Sequence, residues 1–287
     1  MKHKTPLISH FKQTHIWLDM GLLAVLFVVA SYIPLLKIVP LVASLELFSF
    51  FSFHIFAKRN SLKLQGFLGG FISSTTVFLQ ILYDEKFTSL PSRDVILTLL
   101  LALCAMLLEC VFILFFFSTQ LPLIYYLPFF LQLGFFIAIY FLLQGYLRSR
   151  NSKSDNPEMD IELLIDHPII WKNVAKLSVF IIAIVSIMHF IGDKFGLSRE
   201  ISTLIISFFE AHAVLAATMF QWSVDPENIE LLQIIFLILL GNTLSKSYLV
   251  YKGNNLAKKW TFIVLMFASL AISVVFTSVW VYLAAPI

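Results

Sequence analysis

At 287 residues the chain is long enough for one or two soluble domains, yet 59% of it is hydrophobic and 13% charged, with a mean hydropathy of +0.89. Soluble domains run at about 45–50% apolar and about 25% charged, so the surplus exceeds what a globular core hides. The net charge of +3 is scattered, with no basic stripe interleaved with aromatics, which excludes a nucleic-acid partner.

The charges fall in short clusters between apolar runs of about 20 residues, the length that spans ~30 Å of hydrocarbon. Lipid offers backbone groups no hydrogen-bond partner, so spans are helices or closed barrels. These runs are too long and too uniformly apolar for barrel strands, and the expected class is an all-α transmembrane bundle. Nine spans are expected, at 17–36, 40–57, 64–83, 95–118, 122–147, 174–192, 199–221, 229–250 and 260–284. Lys2, Lys4 and Lys12 precede the first run as in a secretory signal, but the run is long and no A-x-A-like site closes it, so an uncleaved span is expected.

The segment 148–173 gathers acidic, small polar and proline residues into one linker. It divides the chain into an N-terminal tail and first helix (1–39), a first four-helix set (40–147), the linker itself and a second four-helix set (174–287). With nine crossings, eleven Lys and Arg lie on the N-terminal side and eight on the other, which places the N-terminus in the cytoplasm by a narrow margin. Sliding the second half back by 137 residues puts Gly70 on Ser207, Ser73 on Glu210, Thr75 on His212 and Glu109 on Lys246. Four spans separate equivalent helices, so an internal repeat would be parallel, about an axis along the membrane normal.

The candidate site residues are the polar groups inside spans. Residues 66–80, GFLGGFISSTTVFLQ, hold Gly66, Gly69 and Gly70, then Ser73, Ser74, Thr75 and Thr76. One reading is close helix packing with hydroxyls bonded to neighbouring turns. The other is a helix opened at Gly69-Gly70 that presents oxygens to an ion or small solute. Glu210 and His212 sit in the seventh span, where each ionised group costs about 2.5–3.5 kcal/mol on insertion scales and so faces a cavity or a partner. They serve either a ligand or the fold. Glu109 and Lys246 are opposite charges at equivalent positions and are expected to pair near the axis, with Asn242 one turn before Lys246 to orient it; the alternative is that Lys246 snorkels to the interface.

Cys104 and Cys110 lack any zinc-like spacing and read as packing residues. No nucleophile-and-base motif, HExxH or P-loop is present, so no enzymatic activity, cofactor or prosthetic group is expected.

Three local patterns carry a family resemblance: Gly69-Gly70-Phe71-Ile72-Ser73-Ser74-Thr75, Glu210-Ala211-His212-Ala213 and Asn242-Thr243-Leu244-Ser245-Lys246. In this order and spacing the chain resembles the bacterial membrane domain of unknown function commonly found C-terminal to MgtC/SapB domains, over about residues 17–280 and without an MgtC domain. Glu210 and His212 stand where that family has two aspartates, Ser207 where it has glycine, and Glu109 where it tends to have arginine. The resemblance implies a bacterial inner-membrane protein. From the residues, the leading expectation is a transporter of a small ion or solute. Its site residues are Gly69, Gly70, Ser73, Ser74, Thr75, Thr76, Glu210 and His212, with Glu109, Asn242 and Lys246 as a polar network beside them. The rival expectation is a regulatory or scaffold protein that docks on another membrane complex; the lipid bilayer is a partner in both, and a homo-oligomer is compatible with either.

Overall fold

The computed structural model describes residues 14–32, 39–40, 43–44, 47, 62–88, 90–117, 121–148, 179, 183, 186, 190, 199–208, 211–221 and 229–284. The expected spans 40–57 and 174–192, all but isolated positions, and the body of the linker lie outside those residues, as does Glu210. The described residues are helical, with no strand among them. The elements are α1 (Thr14–Tyr32), α2 (Leu62–Tyr83), α3 (Ser92–Phe117), α4 (Leu127–Arg148), α5 (Arg199–Ser207), α6 (Ala211–Gln221), α7 (Ile229–Lys252) and α8 (Lys259–Ala284). Four of them, α3, α4, α7 and α8, are long and apolar enough to cross a membrane, which makes this a membrane protein.

The expected crossing at 64–83 is corrected by the course of α2, which does not run straight. Its first arm lies along α3 in the same direction: Lys63 pairs with Asp94 at 3.3 Å, Gly66 meets Thr98, and Gly70 meets Ala102 and Ala105. A β-carbon on Gly70 would sit 2.7 Å from the Ala102 carbonyl oxygen, so glycine at 66 and 70 is what permits the approach. At Ser73 the backbone leaves the helical region (φ −167°, ψ 106°) and the chain turns. Beyond the turn, Val77 folds against Gly69, where a β-carbon would lie 2.8 Å from its side chain. In an unbroken helix these two positions would be ~12 Å apart along the axis.

The second arm of α2 therefore returns toward the end at which α3 begins, here called the near end. There the Leu82 carbonyl accepts from the Asn254 amide at 3.0 Å, and the Asn255 side-chain amide donates to the carbonyls of Ile81 (3.0 Å) and Asp84 (2.9 Å). The Ala257 amide closes the cluster on the Ser92 hydroxyl at 3.4 Å. A 3-10 turn, Glu85–Phe87, links the arms to α3, with Asp84 accepting from the Lys86 amide at 3.0 Å.

These contacts also fix directions. α3 starts at the near end and α7 ends there, so the two run antiparallel. The expectation of parallel halves is thus overturned: four intervening elements were counted as four crossings, but α2 enters and leaves on one side. α4 starts at the far end behind Pro122, and its leading 3-10 turn, Leu123–Tyr125, packs on α7 and α8. α8, starting at the near end, packs against α4, where Gln132 donates to the Ser273 hydroxyl at 3.3 Å.

The expected single span 199–221 is two helices, α5 and α6, separated at residues 208–210 and packed on one another. α5 lies on α7, where Gly241 leaves room for Ser207 and the Leu204 carbonyl. α6 lies on α3. The core is continuous through all of these and is filled by side chains such as Phe78, Leu97, Leu100, Phe129, Leu215 and Phe262.

Candidate functional site

Two helix breaks lie within the bundle, and the polar groups gather at them. At the first, Ser73 has the geometry of an N-cap. Its hydroxyl oxygen accepts from the Thr76 amide at 3.2 Å and from the Thr76 hydroxyl at 3.1 Å, so the second arm of α2 begins as an independently capped helix. The last carbonyls of the first arm lose their next-turn partners at the same point. Gly69, Gly70 and Ser74 are buried, Ser73 and Thr75 half-buried and Thr76 exposed. The Ser74 hydroxyl is 1% exposed and makes no hydrogen bond among the described residues.

Lys246 reaches this tip from α7. Its ammonium donates to the Thr75 hydroxyl and lies 5.7 Å from the centre of the Phe78 ring, an arrangement that stabilises a cation through the negative face of the aromatic. The residue is 2% exposed, so the snorkelling alternative does not describe it. Asn242 is buried one turn earlier on the same helix.

At the second break, His212 stands in the first turn of α6, with its Nδ1 3.6 Å from Glu109 Oε2 on α3. Both side chains are about 4% exposed. A carboxylate and an imidazole held this close in an apolar bundle form a group that can take up or release a proton, because each partner offsets the cost of charging the other. Glu210 directly precedes α6 in sequence and lies outside the described residues.

The structure thus joins Thr75 to Lys246 and His212 to Glu109. The backbones of Glu109 and Lys246 sit at different depths. Counting along α3 from Ser92 and back along α7 from Lys252, they lie roughly 25 Å and 9 Å from the near end. The two contacts share the 137-residue offset, since Glu109 corresponds to Lys246 and Thr75 to His212.

Sequence reasoning missed Phe78 and the small-residue face Thr98, Ala102 and Ala105 that receives the glycine arm. The second had a signal, small residues at helical spacing opposite a GxxxG pair; an aromatic among thirty phenylalanines had none. No curated protein and no solved structure matches the chain. A domain of unknown function (DUF4010) matches residues 41–253, which include both helix breaks, Glu109 and Lys246. With that match running from before α2 to the end of α7, the chain belongs to the DUF4010 family.

Proposed function

We propose that the protein transports a small ion or solute through a polar site at mid-membrane, built between two re-entrant hairpins that enter from opposite faces. The observation that carries this reading is the pair of helix breaks inside an apolar bundle, each beside a buried charged or titratable group. Non-helical backbone at membrane depth is tolerated where protein buries it or where it lines a cavity, and discontinuous helices are how many transporters build their sites. Each arm of α2 has about ten residues and reaches ~15 Å, half the hydrocarbon thickness.

The second hairpin is α5 and α6. Its support is the packing of the two helices on each other and the ring of Phe208, just past Ser207, lying 6.5 Å from that of Tyr248 toward the near end of α7. That contact aims the tip of the hairpin away from the far end, from which α7 starts. On this reading the halves are repeats of inverted topology: α2, α3 and α4 recur 137 residues on as α5 with α6, α7 and α8, Ser73 corresponds to Glu210, and α3 and α7 run in opposite directions.

The same reading orients the chain. Lys63, Lys86, Arg93, Arg148, Lys252, Lys258 and Lys259 then cluster at the near end and Arg199 at the far end. Such an imbalance is that of a cytoplasmic face against an outer one. Phe27 in α1 lies 6.1 Å from Phe116 at the far end of α3, so α1 starts on the near side and the N-terminus is cytoplasmic. The resemblance to domains that follow MgtC/SapB adds a bacterial inner membrane as the location.

The test is uptake of a panel of small ions, Na⁺, K⁺, Mg²⁺ and chloride, into proteoliposomes across about pH 5.5–8, the window in which a histidine of ordinary pKa changes charge. Wild type should carry at least one of them above empty liposomes. Glu210→Gln should remain folded and lose most of that flux, and His212→Ala should change its pH dependence. Absence of flux for every ion would favour a regulatory or scaffold role; full flux in Glu210→Gln would remove Glu210 from the site.

A further inference from the structure

The first hairpin tip is a collection of oxygens in an apolar surround. It holds the Ser74 hydroxyl, buried and without a hydrogen bond among the described residues, the Thr75 hydroxyl, and the carbonyls that end the first arm. Hydroxyl and carbonyl oxygens at the C-terminal end of a helix are what a hard monovalent cation coordinates, and the helix dipole favours positive charge there. A positive charge is already supplied by the chain. The Lys246 ammonium donates to Thr75 and rests over Phe78 while only 2% exposed.

We propose that Lys246 is a tethered cation: its ammonium stands where a free monovalent cation would bind at the tip of the first hairpin, and so spares the protein a requirement for one. This rests on the transport reading only in treating the tip as part of the ligand site. The equivalent position in the other half carries Glu109 beside His212, so this tip alone receives a built-in positive charge. Removing the ammonium leaves the oxygens unneutralised and opens room for an ion of the same charge.

The experiment compares thermal unfolding of the full-length protein in detergent in NaCl, in KCl and in N-methyl-D-glucamine chloride at equal ionic strength. Wild type should melt at the same temperature in all three. Lys246→Ala should melt several degrees lower in N-methyl-D-glucamine and recover at least half of the loss in Na⁺ or K⁺, and adding Thr75→Val should abolish the recovery. Lys246→Arg, which keeps the charge, should remain indifferent to the cation. If Lys246→Ala does not survive extraction, Lys246→Thr, which places a further oxygen ligand at the same point, is measured in the same way. The proposal is overturned if wild type itself gains stability from Na⁺ or K⁺, or if neither neutral variant responds to the cation, including by failing to fold in any of the salts. None of these readouts involves flux, so the tethered cation and transport fail separately.

Discussion

Glu109 and Lys246 each look unaffordable in an apolar span, and the structure answers each with a specific neighbour. That pairing makes an energetic prediction. Residues in one hydrogen-bonded or ionic contact couple by about 0.5–3 kcal/mol, whereas sites without shared partners add. A double-mutant cycle of Glu109→Gln with His212→Ala, read by unfolding in detergent, should therefore show coupling in that range. The cycle of Glu109→Gln with Thr75→Val should be additive within about 0.5 kcal/mol. Coupling in the second cycle and none in the first would reverse the assignment of partners. The residue types at the site were legible in the sequence because an ionisable group or a run of four hydroxyls is conspicuous among leucines and phenylalanines. Their partners were not, since Thr75 and Lys246 are separated by 171 positions and nothing in either segment names the other.

At the scale of the element, α2 explains why one apolar run was misread as a crossing. Residues 64–83 have the length and composition of a span, and the turn rests on one residue, Ser73, whose extended backbone any amino acid adopts. What makes the turn stable is local: a hydroxyl that caps the returning arm and glycines that let both arms lie close to α3 and to each other. Ser73→Ala should lose the cap, at roughly 0.5–2 kcal/mol. Gly70→Ala should cost about 1–3 kcal/mol, because the added carbon meets the α3 backbone rather than a side chain that can move aside. Gly134 in α4 has nothing within 4 Å of a β-carbon, so Gly134→Ala should be neutral or stabilising by up to about 1 kcal/mol. Thermal unfolding of the three variants checks the order. A Gly70→Ala protein as stable as Gly134→Ala would contradict the close packing of the first arm on α3.

For the whole molecule, the 137-residue offset and the helical class were readable from sequence, but the relative direction of the halves was not. Direction depends on how many times the chain crosses, and counting each apolar run as a crossing reverses every element after α2. The near-even split of eleven basic residues against eight was the trace of that miscount, because a fold-back at α2 carries Lys86 and Arg93 to the side of Lys252, Lys258 and Lys259. The central claim, that α2 enters and leaves on one face so that the halves are inverted, is tested most directly by labelling single cysteines from one side of the membrane. Thr88, Ala257 and Leu123 are exposed at the helix ends, and the native Cys104 and Cys110 are buried. In right-side-out vesicles, a membrane-impermeant thiol reagent should leave Thr88→Cys and Ala257→Cys alike unlabelled and react with Leu123→Cys. Labelling that separates Thr88→Cys from Ala257→Cys and groups Ala257→Cys with Leu123→Cys, the pattern of nine simple crossings, would contradict the account.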